Sequence, residues 1–169
     1  MRVRPGTPAD WPVVRDIERR AGERFRDVDM PEIADDEPPT DAELDAAMAV
    51  LVAVDDTGEL VGYAWLEALG DGAHLEQLSV PPEHGGRGVG TALLEEVATW
   101  ARARGYPEVT LTTFRDVPFN APYYERRGFS VVPEVQWTPA LRDLVADEAS
   151  HGLDPDHRVV MRLDLRQPG

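Results

Sequence analysis

The chain has 169 residues, 42% hydrophobic and 29% charged, a balance that fits a folded globular protein and excludes a disordered one. Its formal net charge of −15 argues against nucleic acid or an anionic membrane surface as a direct partner, because contacts to phosphate need a basic surface. Cysteine is absent and every basic residue is Arg, which excludes disulfides, thiolate metal sites, cysteine nucleophiles and lysine-dependent chemistry such as P-loop NTP hydrolysis or Schiff bases.

In chain order, residues 2–4 read as a short strand. Thr7-Pro8-Ala9-Asp10 is a capping box with Pro at the first helical position. Trp11, Val14, Ile17 and Ala21 follow at helical spacing, which predicts a helix to about Arg24. Residues 29–45 are acidic and hold three prolines. A loop is expected there, passing into a short helix over 41–48. Residues 50–54 and 60–69 are apolar strands joined by Asp55-Asp56-Thr57-Gly58-Glu59, which makes them a hairpin. The turn Gly70-Asp71-Gly72 leads into a strand over 74–80, ended by Pro81-Pro82. Val89, Leu93, Val97 and Trp100 share a helical face that Leu94, Ala98 and Ala101 widen, and Gly105 reads as the C-cap. A strand over 109–114, a short helix over 120–127 closed by Gly128, a strand over 129–135, a helix over 139–150 and a strand over 158–165 complete the series. The pattern contains one strand–glycine loop–helix–strand crossover at residues 74–114 and no internal repeat or linker. It predicts one α/β or α+β domain over residues 1–169. Neither a leader-type apolar stretch nor a run of 18 apolar residues occurs, so no signal peptide and no spanning helix are expected, and a cytoplasmic location is.

The segment Gly85-Gly86-Arg87-Gly88-Val89-Gly90-Thr91 lies between a strand and an amphipathic helix. Glycines let a backbone approach a ligand, and a helix start presents N–H groups, so the place suits a phosphate or pyrophosphate. The spacing is neither GxGxxG nor a Walker A loop, and on its own it is equally a plain tight turn.

Residues 74–94 nevertheless carry more than the loop. His74-Leu75-Glu76-Gln77-Leu78-Ser79-Val80-Pro81-Pro82-Glu83, followed by GGRGVG and Leu93-Leu94, resembles motif A of the GNAT superfamily of acetyl-CoA-dependent N-acetyltransferases. Asn120-Ala121-Pro122-Tyr123-Tyr124-Glu125-Arg126-Arg127-Gly128-Phe129 resembles motif B. The resemblance takes in most of the chain to about Val132. It implies a central mixed, mostly antiparallel sheet flanked by helices in a single domain. One departure stands in motif A: Gly85 occupies the place of the family's Gln or Arg, so one side-chain contact to the pyrophosphate is lost.

The resemblance also implies roles. Acetyl-CoA is the cosubstrate, with no metal, and the acceptor is a primary amine. Gly85, Gly86, Arg87, Gly88, Val89, Gly90 and Thr91 supply backbone N–H groups to the pyrophosphate. Leu78, Ser79 and Val80 pair their backbone with the pantetheine arm, and the Val80 N–H is the oxyanion donor. Tyr124 holds the place of the general acid; its alternative is a buried aromatic with a satisfied hydroxyl. Asn120 caps the short helix, with a contact to CoA as a second role, and Tyr123 packs in the core. For the base, His74 and Glu76 share one face of an ideal strand before Val80. Glu76 can act through water, His74 has the more suitable unperturbed pKa, and both are equally a polar face turned to solvent. The first two helices and the loop joining them border the acceptor site. Here that region carries Asp29, Glu32, Asp35, Asp36, Glu37, Asp41, Glu43 and Asp45, an acidic wall that favours a cationic small molecule or peptide amine.

No HExxH or comparable spacing occurs around His151 and His157, so a metal is not expected. Serine stands only at 79, 130 and 150 with no GxSxG, which argues against a serine hydrolase. Two rival readings stay open: a catalytically silent acyl-CoA-binding regulatory module and a structural domain without CoA binding. The region after Val135 builds either the acceptor pocket or a homodimer interface.

Overall fold

The computed structural model describes residues 1–166. Its strands are β1 Arg2–Pro5, β2 Ala49–Val54, β3 Leu60–Leu69, β4 Gly72–Ser79, β5 Glu108–Phe114, β6 Ser130–Val131 and β7 Arg158–Asp164. Its α-helices are α1 Trp11–Gly22, α2 Pro31–Ala34, α3 Asp41–Ala46, α4 Val89–Ala103, α5 Ala121–Glu125 and α6 Pro139–Ser150. Hydrogen bonding links the strands in the order β1-β2-β3-β4-β5-β7-β6. The β4–β5 pair is parallel, whereas β1–β2, β2–β3, β5–β7 and β6–β7 are antiparallel. This is the mixed, mostly antiparallel sheet that the motifs imply. Two compact units divide the chain: Met1–Glu67 with Leu75–Trp100, and Ala68–His74 with the residues from Ala101 onward.

In the first unit, β2 pairs with β1 from Arg2↔Val54 to Pro5↔Leu51 and with β3 from Ala49↔Leu66 to Val54↔Leu60. Trp11, Val14 and Ile17 of α1 pack with Leu44, Val50, Val52, Val54 and Tyr63 into one cluster of buried side chains. The expected capping box opens this helix. The Asp10 carboxylate accepts from Thr7 N at 2.8 Å and from both terminal nitrogens of Arg4 at 2.8 and 3.0 Å. Arg4 holds the Asp10 carboxyl below the usual carboxylate range. The first turn, Pro8–Asp10, is 3-10. The helix ends at Gly22 rather than at Arg24, and a 3-10 stretch Glu23–Val28 closes on Asp29 in the left-handed region at φ 60°.

The acidic segment holds a helix that its sequence hides. In α2, Pro31 occupies the first helical position, where its missing N–H is harmless. Thr40 Oγ1 accepts from Glu43 N at 3.1 Å and starts α3, which stops at Ala46 because Ala47 turns to extended backbone ahead of β2.

In the second unit, β5 pairs with β7 along its length, from Glu108↔Asp164 to Phe114↔Arg158. The start of β4 joins β5 at Ala73↔Val109 and His74↔Thr110. Gly105, at φ +79°, ends α4; its N–H donates to Arg102 O and Tyr106 N to Ala101 O, both at 3.0 Å. The strand expected over 129–135 shrinks to Ser130–Val131. Val132 N still donates to Val160 O at 2.8 Å, but Pro133 has no N–H to continue, and a 3-10 turn Glu134–Gln136 follows. Helix α6 matches its predicted bounds, with Thr138 Oγ1 accepting from Leu141 N. No helix among the described residues is long and apolar enough to cross a membrane.

Candidate functional site

The glycine loop follows from the end of β4. Pro81 and Pro82 stop the strand, the 3-10 turn Pro82–His84 reverses the chain, and Gly85–Gly88 lead into α4. Gly86 and Gly88 have φ of +74° and +81°, a conformation L side chains rarely adopt. A Cβ added at either would meet nothing within 4 Å, so the loop backbone faces open space that a ligand could fill. Gly88 O accepts from Ala92 N at 3.0 Å, which places the N–H groups of the first turn beyond the reach of helical carbonyls. One expectation needs correcting: the Gly85 N–H already donates to Pro82 O at 3.0 Å, so it is committed to the turn and not to a pyrophosphate. Arg87 is exposed between the two left-handed glycines.

Gly62 ties this loop to the sheet. A Cβ there would lie 2.9 Å from Val89 Cγ1, 3.1 Å from Leu93 Cδ1 and 3.1 Å from Ser79 O. Only a glycine lets β3, the end of β4 and the first turn of α4 come this close.

On the same strands the structure assembles a cluster that the sequence analysis missed. The Glu18 carboxylate on α1 accepts from Tyr63 OH at 2.7 Å, from Ser79 Oγ at 2.6 Å and from Gln77 Nε2. Tyr63 is fully buried and Ser79 nearly so. Burial, with Glu18 and more weakly Glu76 adding to it, raises the Tyr63 phenol well above its usual pKa. The signal was present. Glu18 falls seven residues after Trp11 and four after Val14, on the edge of the buried stripe, and Gln77 and Ser79 alternate along β4. Glu76 is exposed, while Leu78 and Val80 are partly buried.

In the second unit, His74 does not share the exposure of Glu76. Its side chain is buried, 3% exposed, and Nδ1 lies 2.8 Å from Thr110 Oγ1. Burial, and secondarily the charge of Arg158, push the imidazole down to about 4. It is neutral at pH 7, and the solvent-facing alternative for His74 is overturned. Arg158 Nη2 reaches Thr112 Oγ1 at 3.0 Å and Glu148 Oε1 at 3.3 Å, and its guanidinium sits 4.6 Å over the Phe114 ring.

Tyr124 is 8% exposed and meets the rings of Tyr123 and Phe129 edge-on, each at 5.4 Å between centroids. Its carbonyl accepts from Phe129 N at 3.1 Å, which closes α5 at Gly128. Tyr123 is only partly buried, with the Arg127 guanidinium 3.5 Å from its ring centre, and so is not a core residue as expected. Asn120 occupies the N-cap position, but its side chain makes no capping bond. Its Nδ2 donates to Phe119 O at 3.1 Å, and its Oδ1 is a buried acceptor without a partner. The expected capping role is thus overturned and an acceptor atom is left over. His151 and His157 are exposed, and the described residues include no group of three metal-ligating side chains.

The mixed sheet, with its parallel pair β4–β5 and a glycine loop leading from β4 into α4, is an α/β fold with a place for a phosphate at a helix start. Residues 11–129 match the model of the acetyltransferase (GNAT) family, and the chain belongs to that family. A mycothiol acetyltransferase from Clavibacter michiganensis subsp. michiganensis is 39% identical over 83 residues, 47% of this chain and 26% of that protein. The chain spans about a quarter of the length of the curated relatives it matches. Among solved structures, N-acetylglutamate synthase from Neisseria gonorrhoeae, complexed with coenzyme A and N-acetyl-glutamate, superposes with a TM-score of 0.74 at 18% identity. That match covers 98% of this chain and 35% of the other. Rv2747 from Mycobacterium tuberculosis, in complex with CoA, gives a TM-score of 0.68 at 21% identity over 96% and 98% of the two chains. These likenesses show the fold.

Proposed function

We propose that this protein is an N-acetyltransferase that moves an acetyl group from acetyl-CoA directly to a primary amine, with residues 1–169 acting as one catalytic domain in the cytoplasm. The observation that carries the reading is the loop Gly86–Gly88. It holds two left-handed glycines with open space above them at the start of a 15-residue helix, locked to the end of β4 through Gly62. Such a backbone fits a pyrophosphate, and the unpaired buried Oδ1 of Asn120 fits a hydrogen-bond donor. The names of the mycothiol acetyltransferases and the coenzyme A bound in the structural neighbours support the same ligand.

When bound, acetyl-CoA supplies an activated thioester acyl group. The N–H groups of Gly86 to Thr91 hold its diphosphate, and the backbone of Leu78, Ser79 and Val80 orients its arm. The Val80 N–H stabilises a developing oxyanion. Tyr124 keeps a phenolic proton for a leaving thiolate. Glu76, exposed on β4, takes the proton of the acceptor ammonium through water. His74 is set aside as base, because its ring is buried, neutral and bonded to Thr110.

Thiol release from acetyl-CoA across a panel of polyamines, aminoglycosides, amino acids and peptide N-termini tests the reading. Turnover with at least one amine is expected. Stabilisation by acetyl-CoA without turnover on any of them would instead identify a silent acyl-CoA-binding module.

A further inference from the structure

Among the described residues no cation forms an ion pair with Glu18, although the carboxylate is partly buried and anchored at three points. Of the arginines of α1, Arg15 pairs with Asp41 and Arg20 with Asp16 and Glu83, and Arg19 is exposed. The partners of Glu18 are a phenol, an amide and a hydroxyl, none of them charged. A carboxylate offers about four lone-pair sites, so three donors fix its plane and leave room for one more. Burying a charge without a counter-charge is costly, and a fold keeps such an arrangement where a ligand completes it.

The place of the cluster narrows the ligand. Ser79, one of the three donors, is the last residue of β4 and directly precedes Val80. Glu76, on the same strand, also acts on the Tyr63 phenol, so a second carboxylate lies within electrostatic range of the cluster. We infer that Glu18 is the counter-ion of the acceptor: its carboxylate, held by Tyr63, Gln77 and Ser79, binds the ammonium group of a cationic primary amine. The inference rests on the acetyl-transfer reading and names the class of acceptor. Glu18 binds and orients the cation.

The test compares an alkylamine, cationic at neutral pH, with an arylamine that is uncharged there. Glu18→Gln should lower kcat/KM for the alkylamine by about 10- to 100-fold, mainly through KM. The arylamine and the acetyl-CoA-induced shift in Tm should stay as in the wild type. Tyr63→Phe removes one anchor without removing charge and should move the same ratio in the same direction by a smaller factor, which keeps the test available if Glu18→Gln does not fold. Equal losses for both amines, or no loss for either, would overturn the assignment and make Glu18 a structural residue while leaving acetyl transfer intact. Calorimetric titration of the alkylamine into the CoA-loaded protein separates the two failures. An enzyme that turns over neither these two amines nor any amine of the wider panel refutes the acetyl-transfer reading. Tighter alkylammonium binding by wild type than by Glu18→Gln still supports the counter-ion, and equal binding rejects it.

Discussion

His74 Nδ1 lies 2.8 Å from Thr110 Oγ1 across the parallel pair that joins β4 to β5, in a side chain only 3% exposed. The contact explains why a histidine can sit in this strand without being a base. The ring is buried beside one neutral hydrogen-bond partner, so burial, and secondarily the charge of Arg158, disfavour its charged form and its pKa falls to about 4.

Stability should therefore depend on pH through His74. Above an unfolded pKa of 6.5 the ring is neutral in both states and costs nothing. As pH falls from 6.5 towards 4, the unfolded chain takes up a proton that the folded chain refuses, and stability drops; below 4 both states are protonated and the loss levels off. The full loss is about 3 kcal/mol. His74→Gln should flatten this part of the pH–stability curve and leave the pH–rate profile above pH 6.5 unchanged. A displaced acidic limb in that variant would return His74 to the catalytic residues.

Gly62 and Gly88 should fail for different reasons. Gly62→Ala places a methyl group 2.9 Å from Val89 and 3.1 Å from a backbone oxygen, an overpacking that costs about 1–3 kcal/mol. It should also weaken acetyl-CoA binding, since the start of α4 must move from the end of β4. Gly88→Ala meets no atom, and its cost of about 1–2 kcal/mol comes from the left-handed backbone alone. Urea melts with and without acetyl-CoA measure both effects. A Gly62→Ala protein as stable as wild type would show that the close approach is dispensable.

The elements legible in the sequence were those with both a period and punctuation. Helix α4 runs between Gly88 and Gly105, and α6 starts at Thr138–Pro139 and reads without correction. What stayed hidden was tertiary. Four residues from Pro31 make a helix inside a stretch whose charge and prolines read as loop. Strand β6 is cut short by Pro133, although Phe129–Val135 has strand composition. Glu18 reads as an ordinary polar helix position until Tyr63, Gln77 and Ser79 converge on it from two strands distant in sequence. His74 and Glu76 stand two apart on one face of β4, but the period of a strand does not tell which part of that face is covered.

Asn120 separates a binding role from a structural one. Its side chain caps nothing and leaves Oδ1 buried and unpaired, a state that costs about 1–3 kcal/mol. Asn120→Ala should therefore leave the Tm of the free protein unchanged or raise it. Affinity for acetyl-CoA should fall by about 10-fold, as expected for one lost hydrogen bond in a dry site. A lower Tm with unchanged acetyl-CoA affinity would identify the side chain as part of the scaffold.

Tyr124→Phe keeps the edge-on contacts with Tyr123 and Phe129 and removes only the hydroxyl. If the phenol protonates the thiolate, kcat should fall by about 10²-fold with acetyl-CoA affinity nearly unchanged. A variant as fast as wild type would make Tyr124 a packing residue.

The acidic segment between α1 and β2 gives the last prediction, and its structure divides the acids into two groups. Asp35 pairs with Arg26, Asp41 with Arg15, Asp45 accepts from Trp11 Nε1 at 2.7 Å, and Glu43 is tied into the Thr40 cap. These charges are spent on structure, so neutralising them should lower stability more than it alters substrate capture. Glu32, Asp36 and Glu37 are exposed and form no ion pair among the described residues. Unscreened like charges on a surface draw cations from a distance and lose that pull as salt shortens the Debye length to about 10 Å at 0.1 M. Rising salt should therefore raise KM for a polyamine or a basic peptide and leave KM for an uncharged amine alone. The triple change Glu32→Gln, Asp36→Asn, Glu37→Gln should raise the polyamine KM at low salt and remove most of its salt dependence, with kcat unchanged. A best acceptor that is anionic, or a polyamine KM indifferent to both salt and the triple change, would refute steering by this segment and leave Glu18 as the determinant of cation binding.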